Sequence, residues 1–188
     1  MKKHIEEYST RLKYALSCKG MNRIQDFAKF LRLAWDNGTS VYICGNGGSA
    51  GNAIHLANDF IYGIDRKNGI GLRVEALSSN PAILTCLAND IGYDNIYAQQ
   101  LRVKARPGDL LIVLSGSGNS PNVVKALEVA RELGMKSVAI LGYSGGKCLD
   151  LADCPIHIDI DDMQVSEDMQ LIIGHMCMQY LCSKVSKP

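Results

Sequence analysis

His55 and Asp59 stand four residues apart in a stretch with helical periodicity. They therefore share one helical face, about 6 Å apart along the axis. An imidazole and a carboxylate so placed can bind a divalent metal or work as an acid/base pair. A plain surface His–Asp contact has the same spacing. Glu167 and His175 lie at the start and middle of the last apolar segment, eight residues apart. In one continuous helix that is about 12 Å of rise and ~80° of rotation. A single metal with ~2 Å bonds cannot readily accept both. Either the helix begins after Glu167, or the two belong to sites shared between subunits. His175 sits among Ile172, Ile173, Met176 and Met178, where a histidine is also at home as a hydrogen-bonded core residue. His157 alternates within a strand and reads as structural, and His4 carries no signal.

Two serine- and glycine-rich loops accompany these groups, Gly45-Asn-Gly-Gly-Ser49 and Ser115-Gly-Ser-Gly-Asn-Ser120. Each follows an apolar β-like run, Val41–Cys44 or Leu110–Leu114, and each leads into a helix-like segment. A strand that turns into a helix through such a loop aims backbone N–H groups and a positive helix end at one spot. That arrangement receives an anion, most often phosphate. The pair suggests a small phosphorylated ligand at the carboxyl edge of a parallel sheet. Ser115, Ser117 and Ser120 offer hydroxyls, and Ser120 before Pro121 is the natural N-cap. The first loop also fits G-x-G-x-x-A through Gly45, Gly47 and Ala50. A dinucleotide site would need an acid closing the second strand, but Glu75 lies inside it, and no second domain is evident. We therefore expect no nucleotide cofactor.

The elements that must position these groups alternate. Helices are predicted over 4–18, 22–36, Ala50–Ile61, Asn80–Asn89, Ile96–Lys104, Pro121–Leu133, Lys147–Leu151 and Val165–Ser183. Strands are predicted over Val41–Cys44, Leu72–Leu77, Asp109–Leu114, Ser137–Leu141 and Pro155–Ile160. Such alternation implies right-handed βαβ crossovers and a parallel sheet between helix layers. The last helix is apolar on more than one face, so an oligomer is expected. The alternative is that residues 1–37 cover it within one subunit.

Twenty basic and 19 acidic side chains give a net charge of +1, with no extended basic block, so charge lends no support to nucleic-acid or membrane binding. The seven cysteines are scattered without a CxxC pair, as buried free thiols of a reducing compartment would be. No apolar run approaches the ~20 residues of a membrane span. A cytoplasmic protein is expected.

Together these residues resemble the sugar isomerase (SIS) domain family, and within it the phosphoheptose isomerases. The matching pieces are Cys44–Ser49, Asn52-Ala-x-His55, Ala88-Asn-Asp90, Ser115–Ser120, Val123-x-x-Ala126, Gly142-x-x-Gly145-Gly146, and Glu167 to His175. The resemblance runs from about residue 5 to 183. It implies an α/β fold, a single SIS domain (37–188) with a five-stranded parallel sheet flanked by helices. Residues 1–36 would be an N-terminal helical extension serving oligomerisation, in a homotetramer with shared active sites. The implied reaction is aldose–ketose isomerisation of sedoheptulose 7-phosphate. The alternatives are a non-catalytic phosphosugar-binding regulator or an isomerase of another sugar phosphate. By position, Asn46, Gly47, Gly48 and Ser49 with Asn89 and Asp90 would hold the sugar, joined by Glu167. Ser115, Gly116, Ser117 and Ser120 would hold phosphate. His55, Asp59, Glu167 and His175 would form a zinc and acid/base cluster, with Asp59, Glu167 and His175 catalytic. Two positions depart from the family's usual pattern: Asp59 replaces Glu, and Glu167 replaces Gln.

Overall fold

A computed structural model describes residues 1–185. Five strands form one fully parallel sheet: β1 (Ser40–Gly45), β2 (Arg73–Ala76), β3 (Leu110–Ser115), β4 (Lys136–Leu141) and β5 (Cys154–His157). Their order is β2-β1-β3-β4-β5. From β1 the chain crosses outward to β2, then returns past β1 to place β3 on its other side. The crevice between the carboxyl ends of β1 and β3 is therefore the topological switch point, where open α/β sheets bind ligands. Both glycine- and serine-rich loops leave the sheet there. The five-stranded parallel fold expected from the sequence is the one found.

Among the described residues eight α-helices cover the sheet: α1 (Lys2–Leu16), α2 (Ile24–Asn37), α3 (Gly48–Asn58), α4 (Pro81–Ile91), α5 (Ile96–Lys104), α6 (Pro121–Glu132), α7 (Gly146–Leu151) and α8 (Met163–Cys182). Strand alternation sorts side chains between two cores. Val41, Ile43, Leu110, Ile112 and Leu114 face Phe27, Leu31, Leu56, Met169 and Ile173 of α2, α3 and α8. Tyr42, Cys44, Leu111 and Val113 face Tyr97, Leu101, Val123 and Leu127 of α5 and α6.

Two boundaries differ from the expectation in ways that matter. The helix predicted over Ala50–Ile61 ends at Asn58 and widens into a π-helical turn over Asp59–Gly63. Single π turns are rare and concentrate at functional sites, and this one begins at Asp59. The last helix starts at Met163, capped by the Asp162 side chain accepting from Val165 N–H. Glu167 and His175 therefore share one unbroken helix, which removes the possibility that the helix begins after Glu167. Along α8, Val165, Met169, Ile173, Cys177 and Leu181 are buried at a four-residue repeat, while Met176 and Tyr180 stay exposed.

All seven cysteines are free thiols. Burial pushes the Cys148 and Cys177 thiols up to about 12, so they remain protonated packing groups. Among the described residues no helix is long and apolar enough to cross a membrane.

Candidate active site

α3 and α8 run side by side in the same direction, and their contacts build the site from the sheet edge downward. At the top, the Glu167 carboxylate lies over Gly48, the first residue of α3. A Cβ on Gly48 would fall 2.4 Å from both carboxylate oxygens. A carboxylate at the first turn of a helix is favoured by the helix dipole. The first loop thus has a negative charge from its own chain beside it. One turn lower, Asn52 Nδ2 donates to Glu167 O (3.0 Å) and to Gln170 Oε1 (2.9 Å). Gln170 Nε2 donates in turn to Ser49 Oγ (2.9 Å). Gln170 and Ser49 are both buried, so this network ties the first loop rigidly to α8.

Lower still the imidazoles meet. His55 Nε2 lies 3.0 Å from His175 Nε2 and 3.5 Å from Asp59 Oδ2, and His175 Nε2 lies 3.2 Å from the same carboxylate oxygen. The three ligand atoms form the one group among the described residues suited to hold a metal ion. Two imidazole nitrogens and a carboxylate oxygen this close require a proton or a cation between them. Tetrahedral ligands with bonds of about 2.0–2.1 Å stand roughly 3.3 Å apart, so the spacing fits such an ion. Three protein ligands would also leave a coordination position open. Asp59 Oδ1 has only a 3.5 Å contact with Asn58, which leaves that oxygen available to a substrate.

The second loop presents unspent hydrogen-bond donors. Ser115 Oγ accepts from Gly118 N–H (3.0 Å) and Ser117 Oγ from Asn119 N–H (3.3 Å), so each hydroxyl keeps its proton to donate outward. The N–H groups of Ser117 and Ser120 bond nothing among the described residues. Ser120 occupies the N-cap of α6, yet its hydroxyl makes no capping bond. The expected cap is thus a free donor at a positive helix end.

One grouping differs within the chain, and the other candidate residues take the following places. Glu167 was grouped with the metal ligands, but in this chain it stands at Gly48, apart from the His55–Asp59–His175 group. The reason is the unbroken helix, whose eight-residue separation is about 12 Å. Ser49 turns inward to Gln170 rather than lining an open surface. The Asn46 side chain is largely spent on protein partners. It exchanges two amide hydrogen bonds with Asn122 (2.9 and 2.8 Å) and accepts from the Tyr93 hydroxyl (3.0 Å). Gly47 occupies the N-cap of α3, and Gly116 is buried in the second loop. Asn89 and Asp90 end α4, exposed and bonded to each other (2.8 Å). They are not brought to the imidazole group.

Tyr93, Asn122 and Gln170 lie outside the sequence expectation, and Asn52 enters it only within the Asn52-Ala-x-His55 match. Asn122, buried in the first turn after the serine loop, was the one with a local signal. The others acquire meaning only through partners from 47 to 121 residues away.

The Gly48 contact gives a selective test. Gly48 has ordinary helical backbone, and an added methyl meets only the mobile end of Glu167. Gly48→Ala is expected to keep or raise Tm, because alanine is the better helix former. It should lower kcat about 10- to 100-fold by displacing the carboxylate. Steady-state kinetics beside a melting curve check both halves.

Residues 5–142 match the family described as the SIS domain. The chain is 38% identical over 174 residues to a phosphoheptose isomerase of Chlorobaculum parvum, spanning 92% of this chain and 83% of that protein. The structure of a phosphoheptose isomerase from Neisseria gonorrhoeae superposes with a TM-score of 0.87 at 27% identity, over 97% of this chain and 96% of that one. One from Francisella tularensis gives a TM-score of 0.86 at 25% identity, over 97% and 98% of the two chains.

Proposed function

Since the chain belongs to the SIS domain family, and within it to the phosphoheptose isomerases, we propose that it interconverts sedoheptulose 7-phosphate and D-glycero-D-manno-heptose 7-phosphate. The observation that carries this reading is one open phosphate cradle, Ser115–Ser120, on the same sheet edge from which α3 leads to an imidazole–carboxylate group. One anion receptor suits a sugar bearing one phosphate. A regulator that binds sugar without turning it over would have no need of His55, Asp59 and His175 converging within 3.5 Å.

In this mechanism Ser115, Ser117 and Ser120 hold the phosphate through hydroxyls and free N–H groups, joined by Gly116. Asn46, Gly47, Gly48, Ser49, Asn89, Asp90 and Glu167 shape the sugar subsite, Ser49 and Asn46 through the networks that fix the first loop. Asp59 takes the proton from C1 of the ketose. His175 gives a proton to the C2 carbonyl oxygen, forming the enediol; the C1 hydroxyl proton then passes to His175 as Asp59 delivers a proton to C2, which leaves the aldehyde at C1. An imidazole suits that shuttle because one nitrogen can both accept and give a proton. His55, Asp59 and His175 would hold a zinc ion, which when bound supplies polarisation of the carbonyl and stabilises the enediolate.

His55 and Asp59 lie seven and eleven residues beyond Gly48 on or just past α3, about 10 and 16 Å of helical rise. A seven-carbon sugar cannot easily span from the cradle past the first loop to that depth within one chain. We therefore place each site between two copies of the chain, in a homotetramer. The half-exposed His55 and His175 side chains favour this, as do the exposed apolar residues Ile54, Ile61, Tyr62, Met176 and Tyr180 on the same two segments. Residues 1–36 serve that assembly, and 37–188 carry the sheet and site. Free buried thiols suit a cytoplasmic setting.

Incubation with sedoheptulose 7-phosphate in deuterated water, with and without added zinc, tests the reaction. The expected product is the aldose carrying deuterium at C2. Absence of both aldose and exchange under either condition defeats the proposal.

A further inference from the structure

Residues 142–148, the turn from β4 into α7, back the Ser115–Ser120 loop along its outer side. Gly142 N–H donates to Gly116 O (2.9 Å) and Cys148 N–H to Gly118 O (3.0 Å). Lys147 N–H donates to Asn119 Oδ1 (3.1 Å). The two loops are moulded onto each other, so the shape of one sets the other.

Within the backing turn, Tyr143 has φ +45°, the sole non-glycine residue with positive φ among those described. That conformation crowds Cβ against the following carbonyl, a cost glycine escapes. The surroundings hold it in place at both backbone groups. Tyr143 N–H donates to Ile160 O (3.0 Å), and His157 Nε2–H donates to Tyr143 O (2.6 Å). The tyrosine ring lies against Gly116. Its Cε2 is 3.6 Å from the point a Gly116 Cβ would occupy, and Met163 Sδ is 2.7 Å from it. Backbone strain over-determined by neighbours and placed at a ligand loop is a mark of function rather than of folding.

We propose that Tyr143, fastened by His157, is a positioning residue for the phosphate loop. Its ring and Met163 wedge Gly116 so that the Ser117 and Ser120 donors converge on the phosphate. This rests on the reading of Ser115–Ser120 as the phosphate site.

The test is binding of inorganic phosphate, followed by phosphorus NMR, to wild type, Tyr143→Gly, Tyr143→Phe, His157→Leu and His157→Gln. Tm and the kcat and KM for sedoheptulose 7-phosphate are measured alongside. Tyr143→Gly relieves the backbone cost while giving up the ring's packing and freeing the unfolded chain, so a folded variant with Tm near wild type is expected. Its phosphate Kd and its KM should nevertheless rise about tenfold, the effect of misplacing one hydrogen bond to a charged group, with kcat nearly unchanged. Tyr143→Phe keeps the ring and should bind as wild type. His157→Leu should reproduce the loss, and His157→Gln, which restores an N–H donor, should recover most of it. Equal phosphate affinity in wild type and Tyr143→Gly overturns the proposal. If Tyr143→Gly does not fold, equal affinity in His157→Leu overturns it instead. A wild type that binds no phosphate overturns the phosphate-loop reading and this proposal with it, and is told apart because no variant is then needed to see it.

Discussion

His175→Gln is expected to lower kcat by about 10²–10⁴-fold, the usual contribution of a positioned acid/base group. Glutamine can place an amide nitrogen near the position of the imidazole Nε2, so size and donor capacity survive while proton exchange near neutral pH does not. The fold should tolerate the change. The His175 side chain is 39% exposed and its polar contacts are confined to His55 and Asp59, so stability should move by no more than about 0.5 kcal/mol. A second readout follows from the shared cluster. Groups that act as one unit lose activity non-additively. The double variant His175→Gln with Asp59→Asn should thus be scarcely worse than the poorer single variant. A kcat within threefold of wild type for His175→Gln would remove the proposed mechanism.

Gly118→Ala should instead break the phosphate loop and cost stability. Gly118 has φ +64°, and its Cβ would fall 1.9 Å from the Gly145 carbonyl oxygen and 2.6 Å from its carbon. Both obstacles are backbone, so no side-chain rotation relieves them. Moving the loop would pull Gly118 N–H off Ser115 Oγ and Gly118 O off Cys148 N–H, each now 3.0 Å. Left-handed strain of about 1–2 kcal/mol and two weakened buried hydrogen bonds of about 1 kcal/mol each sum to roughly 3 kcal/mol. For a chain of this size that is a fall in Tm of about 6–12 °C. KM for the phosphosugar should rise with it, because the Ser115 and Ser117 hydroxyls lose their set orientation. Melting curves with steady-state kinetics decide the matter. An unchanged Tm would show that the two loops are not in register as described. The contrast with Gly48→Ala is instructive. There the added methyl meets a flexible carboxylate and activity alone should suffer.

The sequence by itself determined the pieces whose signals are local. An apolar run, a turn and a helical period close together in sequence specify a βα unit, and strands alternating with helices in this way specify a parallel sheet. The serine cradle at 115–120 and the His55–Asp59 pair were readable for the same reason. Their geometry follows from covalent spacing along one loop or one helix face. The boundary at Asp59 shifted where the helix continues hydrogen bonding in a wider register that side-chain patterns do not encode, and the start of α8 shifted to Met163, behind the Asp162 cap.

Only the tertiary structure decided how distant segments meet. The alignment of α3 with α8 brought His175 to His55 across 120 residues of sequence and set Glu167 against Gly48. It also turned Ser49 inward to Gln170, 121 residues away. Asn46 found Asn122 across 76 residues, and Tyr143 came to lie against Gly116. Packing two helices selects a rotation and a register that depend on every side chain in the interface at once. A single sequence records which residues are apolar, but not which of them meet.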